Sequence, residues 1–398
     1  MRRKRSCPTA SPRRAVSTWL LTVRGFKIEP PIIVEMKVGF DEQIFLAQKT
    51  GGISRYFSQL IDALRNNRDL DVEPLIGWRW TSNRHALDLH LGSRGVDADF
   101  LDCEHALGRS ALYISNSPVH RRIRHGDVLH HTFYHPRFLR PKFDGRRVVT
   151  IYDMTPELFP DLFPGGNPHL AKRSYVDASD ILLCISEATR SDLLQVYGDL
   201  GKPVHVTYPG VSPLFAPGGT PRPGLPDRYL LFVGRRDKYK DFKLLAEALA
   251  GLAEKPALVV VGGGPFTEDE ARLHDRLGIS RQLIHLSVDD HELSALYSNS
   301  LAFVFPSRYE GFGLPTLEAM AAGAPTVLAR VSSHPEIGGE AALYFSHRDP
   351  ESLRDCLATV LGDAALRERH KRLGFVRAAE FTWEHTARQT AHAYRELL

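Results

Sequence analysis

Short apolar, β-branched runs alternate with helix-like stretches along almost the whole chain. The runs are continuously apolar, which is typical of strands that helices cover on both faces. Strands that alternate with helices pair in parallel, so the pattern predicts an α/β fold with parallel sheets. The predicted strands are Met36–Phe40, Val128–His131, Val148–Tyr152, Ile181–Ser186, Val204–Tyr208, Tyr229–Val233, Ala257–Val261, Leu283–Ser287, Leu301–Pro306, Pro325–Leu328 and Ala342–Phe345.

A stretch rich in proline and glycine, Ser212–Asp227, divides this pattern into two halves. It holds five prolines and three glycines in sixteen residues, a composition that opposes both helix and strand. The length of 398 residues also favours two domains. We therefore predict two Rossmann-like domains, which face each other across a cleft and bind ligands outside the carboxyl ends of their strands. The predicted bounds are 36–211 and 229–375, with a linker over 212–228 and a C-terminal helix over 376–398 that is able to pack back on the first domain.

The charge and the cysteines exclude several classes of protein. Residues 1–35 hold eight Lys or Arg and two acids, whereas the whole chain has a formal charge of only +4, so the remainder is slightly acidic. This balance gives no reason to expect a nucleic-acid partner. The four cysteines are scattered without a CxxC pair, which fits a reducing compartment. No apolar run approaches the roughly 18–20 residues of a membrane span, and we predict a cytoplasmic protein.

The basic N-terminal stretch, residues 1–35, has three interpretations. Arg-rich residues precede the weakly apolar Ala15–Val23, as in a secretory signal or an organellar transit peptide, but no clear cleavage site follows. We expect instead a disordered extension. Met36 opens a strand-like run, as the natural N-terminus of a protein with a later start would.

The segment LAFVFPSRYEGFGLPTLEAMAAG, residues 301–323, predicts a strand, a glycine-containing turn and a helix. Pro315 suits the first helical position, because its fixed φ fits there and no hydrogen bond from an amide N–H is lost. Gly311 and Gly313 allow the backbone to approach a ligand closely. The exposed amides and the dipole of a helix N-terminus suit an anion such as a diphosphate.

Two carboxylates, Glu310 and Glu318, flank this turn. A carboxylate accepts two hydrogen bonds from the vicinal hydroxyls of a sugar or a ribose, and charge-assisted bonds of this kind are worth roughly 1.5–3 kcal/mol each. The alternative for Glu318 is simple complementation of the helix dipole.

The Glu310-x7-Glu318 segment closely resembles the signature of the family 4 retaining glycosyltransferases, which have the GT-B fold. The resemblance implies that Glu310 contacts the donor sugar and Glu318 the nucleotide ribose. It also implies that the backbone between them contacts the donor phosphate and sugar hydroxyls. The donor-binding residues implied in this segment are Gly311, Phe312, Gly313, Leu314, Thr316 and Glu318.

Two further glycine turns fit the same resemblance. In FVGRRDKYKDF, residues 232–242, cations follow a strand and a glycine, and such charges stabilise a departing diphosphate. The family has an Arg and, four or five residues on, a Lys that grip the diphosphate. Lys240 matches the Lys; Arg235 and Arg236 both match the Arg, and we favour Arg236. Gly263 belongs to a turn that lines the nucleotide pocket in the family.

The first half carries weaker signals. Gly51-Gly52 opens a helix, either as a plain β-to-α turn or as a loop whose amides face the cleft. Many family members have His-Asp where this chain has Tyr152-Asp153, and Tyr is rarely a base near pH 7. Asp153 is a candidate to orient or deprotonate the acceptor, or it caps the following turn. His131 is a neighbouring alternative for the cleft, and we predict no metal site because no carboxylate completes a ligand pattern there.

The implied reaction moves a hexose from a nucleoside diphosphate sugar to a hydroxyl of a glycan or a lipid-linked acceptor. We expect catalytic roles for Glu310, Arg236, Lys240 and Asp153, and no cofactor. The GGISRYF and YDMTPE variants are similar to bacterial surface polysaccharide enzymes that often use mannose. Basic and aromatic residues over 121–147 suggest a peripheral contact with the inner face of the membrane, or an ordinary solvated loop. The rival functions are a nucleotide-sugar 2-epimerase and a non-catalytic nucleotide-sugar-binding protein.

Overall fold

The structure is a computed structural model, which describes residues 35–91, 113–114, 116, 123, 125–139, 143–236 and 238–398. The chain from Glu35 to Leu398 belongs to one compact unit. The predicted N-terminal extension lies outside the described residues apart from Glu35, as do residues 121–122, 124 and 140–142 of the basic stretch over 121–147. None of the described helices is both long and apolar enough to cross a membrane.

Two parallel six-stranded sheets form the framework, in agreement with the predicted α/β class. The first sheet has the strand order β2-β1-β3-β4-β5-β6. Its strands are β1 (Met36–Phe40), β2 (Val72–Ile76), β3 (Val128–His131), β4 (Arg146–Ile151), β5 (Ile181–Cys184) and β6 (Val204–Val206).

The second sheet has the strand order β12-β11-β10-β7-β8-β9. Its strands are β7 (Tyr229–Val233), β8 (Ala257–Val261), β9 (Leu283–Leu286), β10 (Ala302–Phe305), β11 (Thr326–Ala329) and β12 (Ala342–Phe345). We call the parts of the chain that carry the two sheets the first lobe and the second lobe. The boundaries of the two predicted domains stay a prediction.

Helices connect and cover the strands. In the first lobe they are α1 (Gln43–Ala47), α2 (Gly52–Asn66), α3 (Arg84–Asp88), α4 (Pro136–Leu139), α5 (Thr155–Leu158), α6 (Lys172–Ala178) and α7 (Glu187–Tyr197). In the second lobe and at the C-terminus they are α8 (Phe242–Ala250), α9 (Glu268–Leu277), α10 (Asp290–Asn299), α11 (Leu314–Ala322), α12 (His334–Gly338), α13 (Pro350–Gly362), α14 (Ala364–Ala378) and α15 (Trp383–Arg395).

The predicted strands are found at their places, and one further strand, β2, was not predicted. Its sequence, VEPLI, contains a glutamate and a proline, which weaken a strand pattern. Because β2 lies at the edge of the sheet, it tolerates both residues.

The C-terminal segment differs from the single helix expected over 376–398. Helix α14 ends at Ala378 and α15 begins at Trp383, with buried Phe381 in the connection. Helix α15 packs on the first lobe: the rings of Trp383 and Tyr56 lie 5.8 Å apart. The Tyr394 hydroxyl lies 2.6 Å from Nδ1 of His130. The end of the chain therefore ties back to the first sheet.

Polar contacts also join the two lobes. The Tyr309 hydroxyl of the second lobe donates to Asp192 at 2.8 Å and accepts the amide of Met154 at 3.2 Å. The carboxylate of Glu336 accepts two backbone amides from the first turn of α7. Backbone amides at a helix N-terminus favour an anionic partner, so this contact stabilises the lobe interface.

Candidate active site

A partly buried ion pair lies where β10 leads into α11. Nζ of Lys240 is 2.6 Å from Oε1 of Glu310, and the side chains are 18% and 11% exposed. The ammonium group also lies 4.9 Å from the ring centre of Phe305. Sequence reasoning placed Lys240 and Glu310 at one donor site, and the structure brings them into direct contact.

The turn before α11 is held by specific hydrogen bonds. Oγ of Ser333 donates to the carbonyls of Glu310 and Phe312 at 2.9 and 3.0 Å. Gly313 is the N-cap residue, with a φ of +90° that favours glycine. Leu314 is the first helical residue, so Pro315 occupies the second position rather than the first. Pro315 has no amide N–H and the Thr316 amide donates to the Gly313 carbonyl at 2.9 Å, so the amides at the start of the helix are those of Gly313 and Leu314.

Two buried polar atoms beside Gly313 have no hydrogen-bond partner in the described part of the chain: Oγ1 of Thr316 and Nε2 of His334. His334 donates from Nδ1 to the carbonyl of Ala329, so Nε2 of the neutral ring is an acceptor. Burial lowers the pKa of His334 and keeps the ring neutral. Buried polar groups without a partner are rare, and here they surround the start of α11.

Gly311 serves a different purpose from the one expected. A Cβ atom at this position would lie 1.8 Å from the carbonyl oxygen of Tyr152 in the first lobe. The hydroxyls of Ser186 and Thr189 donate to the Gly311 carbonyl at 2.5 and 3.0 Å. Glycine is therefore needed here for the contact between the lobes, and the predicted donor contact of Gly311 stays a prediction.

The side chain of Phe312 is also structural. It is 3% exposed and lies 5.9 Å from the ring centre of Phe381 and 6.4 Å from that of Tyr208. Only the backbone of Phe312 remains available to a donor.

Arg236, the favoured diphosphate contact, already has a full set of partners. Its guanidinium binds the carboxylate of Glu270 at 2.8 Å and is 4% exposed. It also donates to carbonyls of the turn after β8, namely those of Gly262, Gly264 and Pro265. The structure therefore favours Arg235 over Arg236 as the predicted diphosphate contact.

Arg235 lies with Lys240 at a cavity of about 200 Å³ between the lobes. The cavity is lined by Asp153, Thr155, Pro156, Phe163, Pro168, His169, Arg235, Tyr239 and Lys240. Arg235, rather than Arg236, is therefore the arginine placed beside Lys240.

The turn that contains Gly263 wraps around Arg236. Gly262, Gly263 and Gly264 have φ values of +92°, +74° and +72°, which residues with a side chain rarely adopt. Their conformation directs successive carbonyls onto the guanidinium. The structure accounts for the glycines in this way, and the predicted nucleotide contact of Gly263 stays a prediction.

Glu318 lies in the first turns of α11 and is bound by an arginine of the first lobe. Nη1 of Arg55 is 3.0 Å from Oε1 of Glu318, and Nη2 is 2.8 Å from Asp290. The Tyr297 hydroxyl donates to the other Glu318 oxygen at 3.4 Å. Burial raises the pKa of Glu318 to about 7; the positive charge of Arg55 acts to lower this pKa, and the negative charge of Asp290 adds to the rise.

The raised pKa of Glu318 predicts a pH-dependent stability. A carboxyl with a pKa of about 7 in the folded protein and 4.5 otherwise binds a proton more tightly when folded, so stability falls as pH rises between these values. The charged groups facing it are Arg55 and Asp290, with His85 close to Arg55. We expect wild type to lose about 1–3 kcal/mol relative to Glu318→Gln from pH 4.5 to pH 7.5. Urea unfolding at both pH values measures this difference, and a pH-independent difference would contradict it.

Tyr152 is buried rather than exposed to the cleft. Its side chain is 6% exposed, and its hydroxyl donates to the carbonyl of Thr132 at 2.9 Å. The neighbouring Asp153 does line the cavity, and one of its oxygens accepts the amide of Thr155 at 3.0 Å. Asp153 therefore caps the following turn and still faces the space between the lobes.

His131 also lies in the core, with 1% of its surface exposed. Nδ1 is 2.7 Å from Asp41 and Nε2 is 3.0 Å from Nη1 of Arg147. Because arginine only donates, Nε2 accepts and Nδ1 donates to Asp41. Burial acts to raise the pKa of Asp41, but the hydrogen bonds from His131 and Thr132 hold it below its ordinary value. The structure corrects the placement of His131 in the cleft.

The glycine pair positions α2. Gly51 is the N-cap residue and Gly52 the first residue of the helix. The Gly51 carbonyl accepts the amide of Arg55, so the pair fixes the turn that carries the arginine bound to Glu318. Gly51 and Gly52 thus position Arg55 for its contact with Glu318 of the second lobe.

Sequence reasoning missed His169 in the first lobe. It lines the cavity with Asp153, Arg235 and Lys240, and its ring packs at 5.4 Å against Phe133. Burial lowers the pKa of His169, which favours a neutral ring. Nothing in the local sequence signals this position, because the loop before α6 brings it to the cavity.

Two parallel α/β sheets, with polar groups at the start of α11, define a class of proteins with the GT-B fold. Known structures agree. Sucrose-phosphate synthase from Thermosynechococcus elongatus has a TM-score of 0.69 at 20% identity, covering 91% of this chain and 99% of that one. WaaG, a glycosyltransferase involved in lipopolysaccharide biosynthesis, has a TM-score of 0.61 at 17% identity, covering 89% and 99%.

The second lobe matches a known family in sequence. The model of the glycosyl transferases group 1 matches residues 222–375, and the chain therefore carries a group 1 glycosyltransferase domain. O-antigen chain mannosyltransferase B of Escherichia coli is 28% identical over 289 residues, covering 68% of this chain and 76% of the relative. D-inositol 3-phosphate glycosyltransferase of Corynebacterium urealyticum is 30% identical over 252 residues, covering 57% of this chain and 59%, less than two thirds, of the relative.

Proposed function

We propose that this protein transfers a hexose from a nucleoside diphosphate sugar to a hydroxyl of a glycan or a lipid-linked acceptor, with retention at the anomeric carbon. The observation that supports this most is the contact of Lys240 with Glu310 at the start of α11, inside the group 1 domain. A cation, a sugar-binding carboxylate and helix amides meet there, as a diphosphate sugar requires.

The donor binds along the start of α11. Its diphosphate takes the backbone amides at Gly313 and Leu314, and Lys240 exchanges Glu310 for a phosphate oxygen. Glu310 then accepts hydrogen bonds from sugar hydroxyls. Arg235 lies on the same cavity as Lys240 and adds a second positive charge. The ribose hydroxyls bind Glu318, which is within the first turns of the same helix.

The transfer step needs no nucleophile from the protein. The bond between the anomeric carbon and the diphosphate oxygen breaks, and the acceptor oxygen forms a new bond on the same face. The departing diphosphate takes the acceptor proton. Lys240, Arg235 and the helix amides stabilise the charge that develops on the diphosphate, the kind of electrostatic stabilisation that often dominates catalysis. Because these groups supply positive charge, we propose that transfer proceeds without a metal ion.

The acceptor enters from the first lobe. Asp153 and His169, from the first lobe, line the same cavity as Lys240 of the second lobe. A neutral imidazole and a carboxylate both accept hydrogen bonds, so they orient a hydroxyl toward the sugar. Mannose is the favoured sugar because an Escherichia coli relative is named as a mannosyltransferase.

A transfer assay tests this function. Purified protein is incubated with a panel of UDP- and GDP-sugars and with glycan or lipid-linked acceptors, with and without EDTA, and the product linkage is determined by NMR. We expect hexose transfer with retained configuration and no effect of EDTA, and a higher acceptor KM for His169→Gln. An inverted linkage would contradict the proposed mechanism. Epimerised donor sugar would indicate a 2-epimerase, and binding without any turnover a binding protein.

A further inference from the structure

The carboxylate assigned to the ribose is already bound by the protein itself. Arg55, from the first turn of α2, donates from Nη1 to Oε1 of Glu318 at 3.0 Å. Its Nη2 donates to both oxygens of Asp290, at 2.9 and 2.8 Å. Arg55 is 21% exposed and Glu318 only 9%, so the contact is largely shielded from water. It joins the two lobes at the donor site.

The ion pair has an uneven balance of charge. One guanidinium serves two carboxylates, and it approaches Asp290 through two hydrogen bonds but Glu318 through one. Asp290 is 41% exposed, whereas Glu318 is buried. Arg55 is therefore anchored mainly on Asp290, and its bond to Glu318 is the one that a ligand can replace.

A ribose diol needs the position that Arg55 holds. Two vicinal hydroxyls bind a carboxylate best when both of its oxygens accept hydrogen bonds. In the structure Oε1 of Glu318 accepts from Arg55, and Oε2 accepts from Tyr297 at 3.4 Å. Since that second bond is long, displacement of Arg55 is the main step that opens Glu318.

We propose that Arg55 occupies the ribose-binding position on Glu318 until a nucleotide displaces it, an inference that rests on the proposed donor site. Without donor, Arg55 donates a hydrogen bond to Glu318 and ties α2 to the second lobe. When the nucleotide binds, its ribose diol replaces Arg55 on Glu318, while Arg55 stays on Asp290. Donor binding and the contact between the lobes are thus coupled. The free energy needed to break the ion pair between Arg55 and Glu318 lowers the affinity for nucleotides.

The test compares Arg55→Gln with wild type by calorimetric titration of UDP, GDP and 2′,3′-dideoxy-UDP. We expect Arg55→Gln to bind UDP or GDP about fivefold or more tightly than wild type, the size of a typical coupling between two binding events. The dideoxy nucleotide lacks the diol and does not compete with Arg55, so its affinity stays unchanged. Arg65→Gln, an exposed arginine on the same helix, is the control and behaves as wild type.

Asp290→Asn provides a second variant with the opposite sign. Without the Asp290 carboxylate, Glu318 is the carboxylate that remains for Arg55, which then binds it more strongly. The ribose diol displaces Arg55 less easily, so we expect weaker binding of UDP and GDP. A merely structural ion pair would change both variants in the same direction. Unchanged or weaker UDP and GDP binding by Arg55→Gln, or an equal gain for the dideoxy nucleotide, would overturn the exchange. If wild type binds neither UDP nor GDP, both the proposed donor site and the displacement of Arg55 are wrong.

Discussion

Lys240→Ala is expected to lower the rate of hexose transfer by about 100- to 1,000-fold, the effect of removing one group that stabilises charge in a transition state. Its ammonium group lies 2.6 Å from Glu310 beside the start of α11. Alanine removes the cation that would meet the departing diphosphate and leaves the partly buried Glu310 without its charged partner. The rate at saturating donor measures the effect.

The matched control is Lys243→Ala. Lys243 lies only three residues further along, is 68% exposed, and pairs with Glu247 at 3.6 Å within α8. Exposed pairs of this kind contribute little, so we expect a rate close to that of wild type. Equal losses in both variants, or an unchanged rate for Lys240→Ala, would contradict a role of Lys240 at the donor phosphate.

The second large effect is expected for Gly311→Ala, with a loss of about 100-fold in the transfer rate. The new methyl group would lie 1.8 Å from the carbonyl oxygen of Tyr152, and this atom belongs to backbone that has no alternative rotamer. The lobes must therefore separate locally, which displaces Asp153 from the donor. A shift of about 1 Å at the reacting groups is enough to cause such a loss.

Gly362→Ala serves as the control for an added methyl group. Gly362 is the last residue of α13, and no described atom lies within 4 Å of the position that its Cβ would take. We expect unchanged activity and unchanged or slightly higher stability. The thermal unfolding temperature of both variants shows whether Gly311→Ala loses activity because the lobes are displaced or because the protein no longer folds. Full activity of Gly311→Ala would show that the close approach to Tyr152 is not needed.

The fold was predictable because most strands are buried on both faces. Continuous apolar runs such as Ala257–Val261 mark them, and a proline-rich stretch separates the two sheets. Strand β2 was not predicted, because an edge strand needs neither a continuous apolar run nor a partner for every backbone hydrogen-bonding group. The break between α14 and α15 was not predicted because residues 379–382, AEFT, contain neither a glycine nor a proline to mark the end of a helix.

The donor half of the site followed from one local motif, since Glu310, Gly313 and Glu318 lie within nine residues. The choice between Arg235 and Arg236 could not be made from sequence. Adjacent side chains point in different directions, and the carbonyls that bind Arg236 come from a turn 26 to 29 residues away.

The first-lobe half of the site depends on contacts between distant parts of the chain. Arg55 meets Glu318 across 263 residues, and no local pattern announces this pairing. His131 looked available because the sequence does not reveal that Asp41 and Arg147 enclose it. His169 was missed for the converse reason, since only the fold brings it beside Asp153.

The most direct measurement of the central claim is a crystal structure of the protein with bound UDP or GDP. We expect the diphosphate at the start of α11 in contact with Lys240 and Arg235, and the ribose hydroxyls on Glu318 with Arg55 retained by Asp290. A nucleotide bound elsewhere would contradict the donor site. One such place is the cavity of about 970 Å³ between Asp62 and Trp383.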